Sequence, residues 1–162
     1  MLNQLAKYLP GFKLLTYLAL AISIVPLILG AKIATAAPQS KTFDDYTIHF
    51  NAFTSDTLQP QVAKAYKITR SKNRALLTIS VIKKSLSPTG MPVAANISAK
   101  ATNLTGQLKD IQIREIKDGA AIYYLSEFHV ADKEVLDFVI QVKPENKSGP
   151  FQLTLRQQFY TN

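Results

Sequence analysis

The fold this sequence predicts is an all-β, immunoglobulin-like antiparallel β-sandwich of seven strands. Three observations predict it. Beyond residue 42, apolar and polar side chains alternate with a period of two, as in half-buried strands. Gly90, Gly106, Gly119 and Gly149 fall between the alternating runs, where turns need positive φ. The chain has no cysteine, so a disulfide framework is excluded and an apolar core must supply the stability. Strands with one apolar face each need a second sheet to cover it. A small barrel is the alternative closure.

The first 36 residues stand apart from this pattern. Lys7 and Lys13 give a positive start, Leu14 to Leu29 is uncharged and apolar with one proline, and Ala34-Thr35-Ala36 offers the small residues a signal peptidase reads. Residues 1–36 are therefore expected to be a secretory signal helix, and residues 37–162 a single exported, periplasmic domain. The competing expectation is an uncleaved anchor, because the 18 residues from Leu14 to Ala31 are uncharged and reach the minimum for a membrane span. Pro26 and Gly30 would shorten that helix. Three of the 19 Lys and Arg precede residue 37 and all 11 acids follow it, which leaves the remaining 126 residues with a net charge of +5. In an exported chain that balance points to anionic envelope material and away from nucleic acid.

Seven runs carry the alternation. Tyr46, Ile48, Phe50 and Ala52 share one face; Ala75, Leu77, Ile79 and Val81 share the next; Val93, Ala95, Ile97, Ala99 and Ala101 form the third. Ile111 and Ile113 begin a fourth, which breaks phase at Glu115-Ile116 as a bulge would. Ile122, Tyr124, Phe128 and Val130, then Leu136, Phe138, Ile140 and Val142, then Phe151, Leu153, Leu155 and Phe159 complete the set. Asp118-Gly119 predicts a type I′ hairpin. Residues 54–73 are too long for a plain connection. Within them, a short helix near 60–67 is expected, with Pro60 in its permitted first turn, and with Val62 and Tyr66 on a face that caps an open end of the sandwich. Lys64 and Lys67 would face water.

Several words in the chain resemble a family of secreted gammaproteobacterial proteins catalogued only as a domain of unknown function. They are Asp45-Tyr46 with His49-Phe50-Asn51-Ala52, then Ala63, Ala65-Tyr66, Ile68, Arg70-Ser71 and Arg74-Ala75, then Thr102-Asn103-Leu104, Gly106-Gln107-Leu108, Ile122-Tyr123-Tyr124 and Glu127-Phe128. The resemblance runs from about residue 39 to 160. It implies an exported, single-domain, immunoglobulin-like protein and supplies no activity, substrate or cofactor.

The residues themselves argue against catalysis. Without cysteine there is no thiolate nucleophile and no sulfur ligand for a metal. His49 and His129 both fall on polar strand faces, and none of the hydrolase, zinc-protease, phosphate-loop or dinucleotide motifs is present. Asp45 and His49 would share a face, with Asp44 on the other. A small metal-dependent or hydrolytic enzyme using His49 and nearby carboxylates is the alternative reading. Tyr124 is expected in the core and Tyr123 outside it.

The most biased window lies between Lys64 and Lys84, which holds seven cations and no acid. Lys64, Lys67, Arg70, Lys72 and Arg74 are the candidate anion- or partner-binding residues, with Arg gripping an oxyanion by two contacts and Lys acting as a point charge. The competing expectation is that Arg70 and Arg74 tie the long segment to Asp44, Asp45 or Glu127, while Lys72 keeps a strand entrance soluble and Lys83 and Lys84 guard the strand's far end. The resulting expectation is a non-enzymatic periplasmic binding domain, free of cofactors, whose partner is an envelope protein or an anionic envelope component.

Overall fold

A computed structural model describes residues 39–162; the expected signal helix and its cleavage site lie outside the described residues. The alternating runs form the strands β2 (Tyr46–Thr54), β3 (Arg74–Lys83), β5 (Ala95–Asn103), β7 (Arg114–Asp118), β8 (Ala121–His129), β9 (Val135–Pro144) and β10 (Phe151–Gln158). Three short strands bring the described total to ten rather than the expected seven: β1 (Gln39–Phe43), β4 (Met91–Pro92) and β6 (Leu108–Lys109). Period-two reading misses them for a physical reason. β1 is exposed over four of its five residues and β4 and β6 have two residues each, so no buried face marks them.

All ladders are antiparallel, and they make two sheets. The first runs β1-β2-β3-β8-β7, with β4 joined to the end of β3, and the second runs β10-β9-β5-β6. One core lies between them. Ile48, Phe50, Leu77 and Val81 enter it from the first sheet, and Phe138, Ile140, Val142, Leu153 and Leu155 from the second. Full burial of each such side chain contributes about 1.5–3 kcal/mol. Phe128 meets Phe138 and Phe159 edge to face, with ring centroids 5.7 and 6.0 Å apart. Tyr124 is buried as expected, and its hydroxyl links the sheets: it accepts from the Ala95 N–H at 2.7 Å and donates to Glu115 Oε2 at 3.0 Å. Burial first, and the Glu115 carboxylate after it, hold this phenol above its ordinary range although the Ala95 N–H pulls the other way.

The phase break before β7 redirects its side chains. Ile111 and Ile113 pack on the main core, whereas Ile116 turns to the opposite face of the first sheet. The β7–β8 hairpin differs from the expected type I′ turn. Asp118 is still paired, with Ala121, and of the two loop residues only Gly119 has positive φ, at 57°. Positive φ at the first loop position alone is the type II′ requirement.

Candidate functional site

Residues 55–73 fold into a flap that covers part of the outer face of the first sheet. A 3-10 turn (Ser55–Thr57) leads into α1 (Pro60–Ala65), where Pro60 occupies the position at which a missing N–H costs nothing. Ser55 fastens the two ends of the flap. Its fully buried Oγ accepts from the Ser71 N–H at 2.9 Å and lies 2.8 and 3.1 Å from the Thr69 and Ser71 carbonyl oxygens, between which its proton is shared.

The flap does not cap an end of the sandwich. Its apolar side lies on the sheet face, where Ala63 and Ile68 form a second core with Leu76 of β3 and Leu125 of β8. That core is incomplete. A groove of about 240 Å³ remains open between the flap residues Leu58, Val62 and Tyr66 and the sheet residues Phe53, Leu76, Ile116 and Leu125. Tyr123, exposed as expected, stands at its margin with Thr78.

Two bonds hold Tyr66 over the edge strand. Its carbonyl accepts from Arg114 Nη2 at 2.7 Å, and its hydroxyl donates to Asp118 Oδ2 at 2.7 Å. Arg114, Ile116 and Asp118 alternate along β7, so all three share the outer face, and Ile116 lines the groove with Tyr66. The bond to Asp118, with smaller contributions from desolvation and charge, raises the Tyr66 phenol above its ordinary value. Nearby, Glu127 gathers the end of the flap. It lies 3.9 Å from Arg74 and 3.5 Å from Arg114, and it accepts a longer bond from the Thr69 N–H at 3.4 Å.

The five candidate cations therefore divide into two groups. Arg70 donates to the Asp56 carbonyl at 2.7 Å, and Arg74 pairs with Glu127. Arg70 closes the flap on itself, whereas the Arg74 pair joins β3 to β8. The expected partners Asp44 and Asp45 instead pair with Lys147 and Lys83. Lys64, Lys67 and Lys72 are exposed on the flap, and among the described residues no carboxylate pairs with them. Lys67 lies between the groove residue Tyr66 and Ile68, in a left-handed conformation with φ of 55°.

His49 lines a separate cleft of about 230 Å³ with Asp44, Asp45, Lys84 and several hydroxyl side chains. Both aspartates line this cleft, contrary to the opposite faces expected of them, because they sit in the β1–β2 turn, where strand alternation does not apply. Hydrogen bonding to Asp44 raises the Lys147 pKa. Among the described residues, no three His, Asp or Glu side chains come together as a metal site. The sequence reading missed Tyr66, Arg114, Ile116 and Asp118 as one assembly. A signal was present: Phe53, Leu76 and Leu125 are large apolar residues on the faces that alternation assigns to water.

Two antiparallel sheets around one core, with a flap over an open groove, define the class: an all-β domain with a built surface site. The chain belongs to the DUF4426 family, a domain of unknown function, whose family model matches residues 40–162. A DUF4426 family protein from Pseudomonas aeruginosa PAO1 is similar to it, with 28% sequence identity and a TM-score of 0.67 over 79% of this chain and 98% of that one. The fold is also similar to that of FetP from uropathogenic Escherichia coli strain F11, expressed recombinantly in the periplasm, at 10% identity and a TM-score of 0.53 over 77% of this chain and 95% of that one. A copper-bound single-residue variant of FetP matches at 9% identity and a TM-score of 0.54 over 78% and 97% of the two chains. No curated protein matches the sequence.

Proposed function

We propose that this chain is an exported, non-enzymatic binding domain that recognises an envelope protein or an anionic envelope component through the flap side of its first sheet. One observation carries the reading: an open, carbon-lined groove lies under a flap whose Lys64, Lys67 and Lys72 have no carboxylate partner among the described residues. Loops and irregular segments held on a rigid sandwich are where such domains bind. The immunoglobulin-like architecture is part of the same proposal, supported by the order β2-β3-β8-β7 in one sheet and β10-β9-β5 in the other, which is the seven-strand constant-type arrangement. The periplasmic location rests on the signal-like residues 1–36 and on the shared fold with FetP.

Absence of catalysis is supported by the groups around His49. Its neighbouring carboxylates are engaged by Lys83 and Lys147, and the imidazole is exposed. The copper of the FetP variant is not carried over, because the described residues offer no set of three His or carboxylate ligands for it.

Retention on immobilised heparin or lipopolysaccharide under rising salt tests the proposal. Wild-type protein should elute later than the triple variant Lys64→Ala, Lys67→Ala, Lys72→Ala, with melting temperatures unchanged. Equal elution of the two would discard it.

A further inference from the structure

The contents of the groove specify a ligand chemistry. Building on the binding reading above, we infer that the flap groove takes the alkyl chain of a single-chain anionic amphiphile of the fatty-carboxylate class, its charged end remaining outside at Lys64 and Lys67.

Three features select this occupant. The floor of the groove is built from β3 and β8, the two strands most deeply placed in the first sheet, and their backbone groups are already engaged on both sides by β2 and β7 and by each other. A peptide backbone laid on that floor would find no hydrogen-bond partner, and unpaired burial of peptide groups is costly. An alkyl chain has no polar group to satisfy. Two of the polar groups at the margin are also committed, since Thr78 Oγ1 donates to the Asn51 carbonyl and the Tyr66 hydroxyl to Asp118.

Size points the same way. The groove, of about 240 Å³, falls short of the roughly 300–1,000 Å³ of sites for drug-sized ligands. It equals about eight water volumes of ~30 Å³, which suits a narrow chain better than a ring system.

Charge supplies the third feature. Lys67 follows the groove residue Tyr66 directly, Lys64 lies nearly one helical turn before it, and no acid occurs between Lys64 and Lys84. A carboxylate leaving the groove on the flap side would meet these cations, which pair with no carboxylate among the described residues. Because Lys64 and Lys67 are exposed, the head can keep part of its hydration while the tail loses its own.

Calorimetric titration of the protein with decanoate below its micellar concentration tests the inference. One chain should bind per protein, octanoate should bind roughly tenfold more weakly for its two missing methylenes, and decyl maltoside should bind more weakly than decanoate. Val62→Trp, which fills the groove from the exposed side of α1, should weaken decanoate by at least about tenfold. The paired reversal Lys64→Glu, Lys67→Glu should weaken decanoate and leave decyl maltoside unchanged, and it tests the site even if the tryptophan disturbs the flap. Failure of decanoate to bind by a protein that heparin still retains overturns this inference and leaves the binding reading standing; failure of both overturns both. Equal affinity for decanoate and decyl maltoside overturns the role of the lysines. Binding of an acidic peptide with a single leucine, blocked by Val62→Trp while decanoate does not bind, overturns the alkyl ligand in favour of a protein partner.

Discussion

Tyr66 and Asp118 are 52 positions apart in the chain, and a 2.7 Å hydrogen bond from the phenol to the carboxylate joins the flap to the edge strand of the first sheet. With the Arg114 bond to the Tyr66 carbonyl, it fixes Tyr66 as one wall of the groove. Further bonds are those of Ser55 at the flap's base, Arg70 on the Asp56 carbonyl, the Thr69 N–H to Glu127, and the Val130 N–H to the Asn73 carbonyl.

Replacing Tyr66 by Phe should loosen the flap without unfolding the sandwich. Amide hydrogen exchange in residues 60–72 should accelerate while β3 and β9 keep their protection. The effect depends on pH with a definite sign. The folded flap favours the neutral phenol and raises its pKa, so the attachment is complete below the ordinary tyrosine value near 10 and is lost as pH rises through the raised one. Flap exchange in the wild type, after correction for intrinsic rates, should therefore approach that of Tyr66→Phe only in strong alkali. Matching exchange at neutral pH would show that the bond does not hold the flap.

Ser55→Ala should be more disruptive than its size suggests. The substitution leaves the Ser71 N–H without its acceptor and the Thr69 and Ser71 carbonyls without their donor in a fully buried position. A loss of about 1–3 kcal/mol is expected, measured by urea denaturation. Ser55→Thr, which keeps the hydroxyl, should recover part of it.

Glu134, in the connection between β8 and β9, makes the domain sensitive to acid. Burial, its largest influence, raises its pKa, but the bonds from Lys109 and from the Ala131 N–H outweigh this and the net shift is downward. Its contribution is complete above the ordinary carboxylate value near 4.5 and is lost as pH falls through the lowered one. The melting-temperature gap between wild type and Glu134→Gln should be open at pH 6 and close toward pH 3, about the range in which carboxylates take up protons. A gap independent of pH would contradict this.

Gly90→Ala should destabilise the protein by about 1–3 kcal/mol. At φ of 69°, a Cβ would stand 2.5 Å from Ile82 Cγ2 and 2.8 Å from the Lys83 carbonyl oxygen. Gly106, at φ of 82° but with open space around it, supplies the control. Its alanine variant meets backbone strain alone, so thermal denaturation should rank Gly90→Ala as the less stable of the two.

Six of the seven expected strands were legible because each turns one face to the core and that face repeats every second residue; β7, exposed at four of its five residues, was marked only by Ile111 and Ile113 just before it. The candidate site was legible only in part. Lys64 through Arg74 stood out by charge, yet charge alone does not distinguish Arg70 and Arg74, which are engaged by the Asp56 carbonyl and by Glu127, from the lysines that face water. Leu76 and Leu125 interrupted polar faces, which announced a cover for the sheet, but nothing local identified Ile116 and Asp118 as its docking points. Those contacts join residues about fifty positions apart, and the turn of Ile116 to the outer face arises from a change of phase at the entrance to β7. Asp44 and Asp45 show the converse limit: strand alternation predicts opposite faces for them, and the fold places both in a turn.

The second core under the flap is separated from the main one by the backbone of the sheet. A nick or mutation that frees residues 55–73 would leave Leu76 and Leu125 bare to water on an otherwise intact sandwich. Such a molecule would be folded yet adhesive, ready to stick to its own kind. The segment that shapes the groove thereby also covers an apolar patch that would otherwise favour self-association.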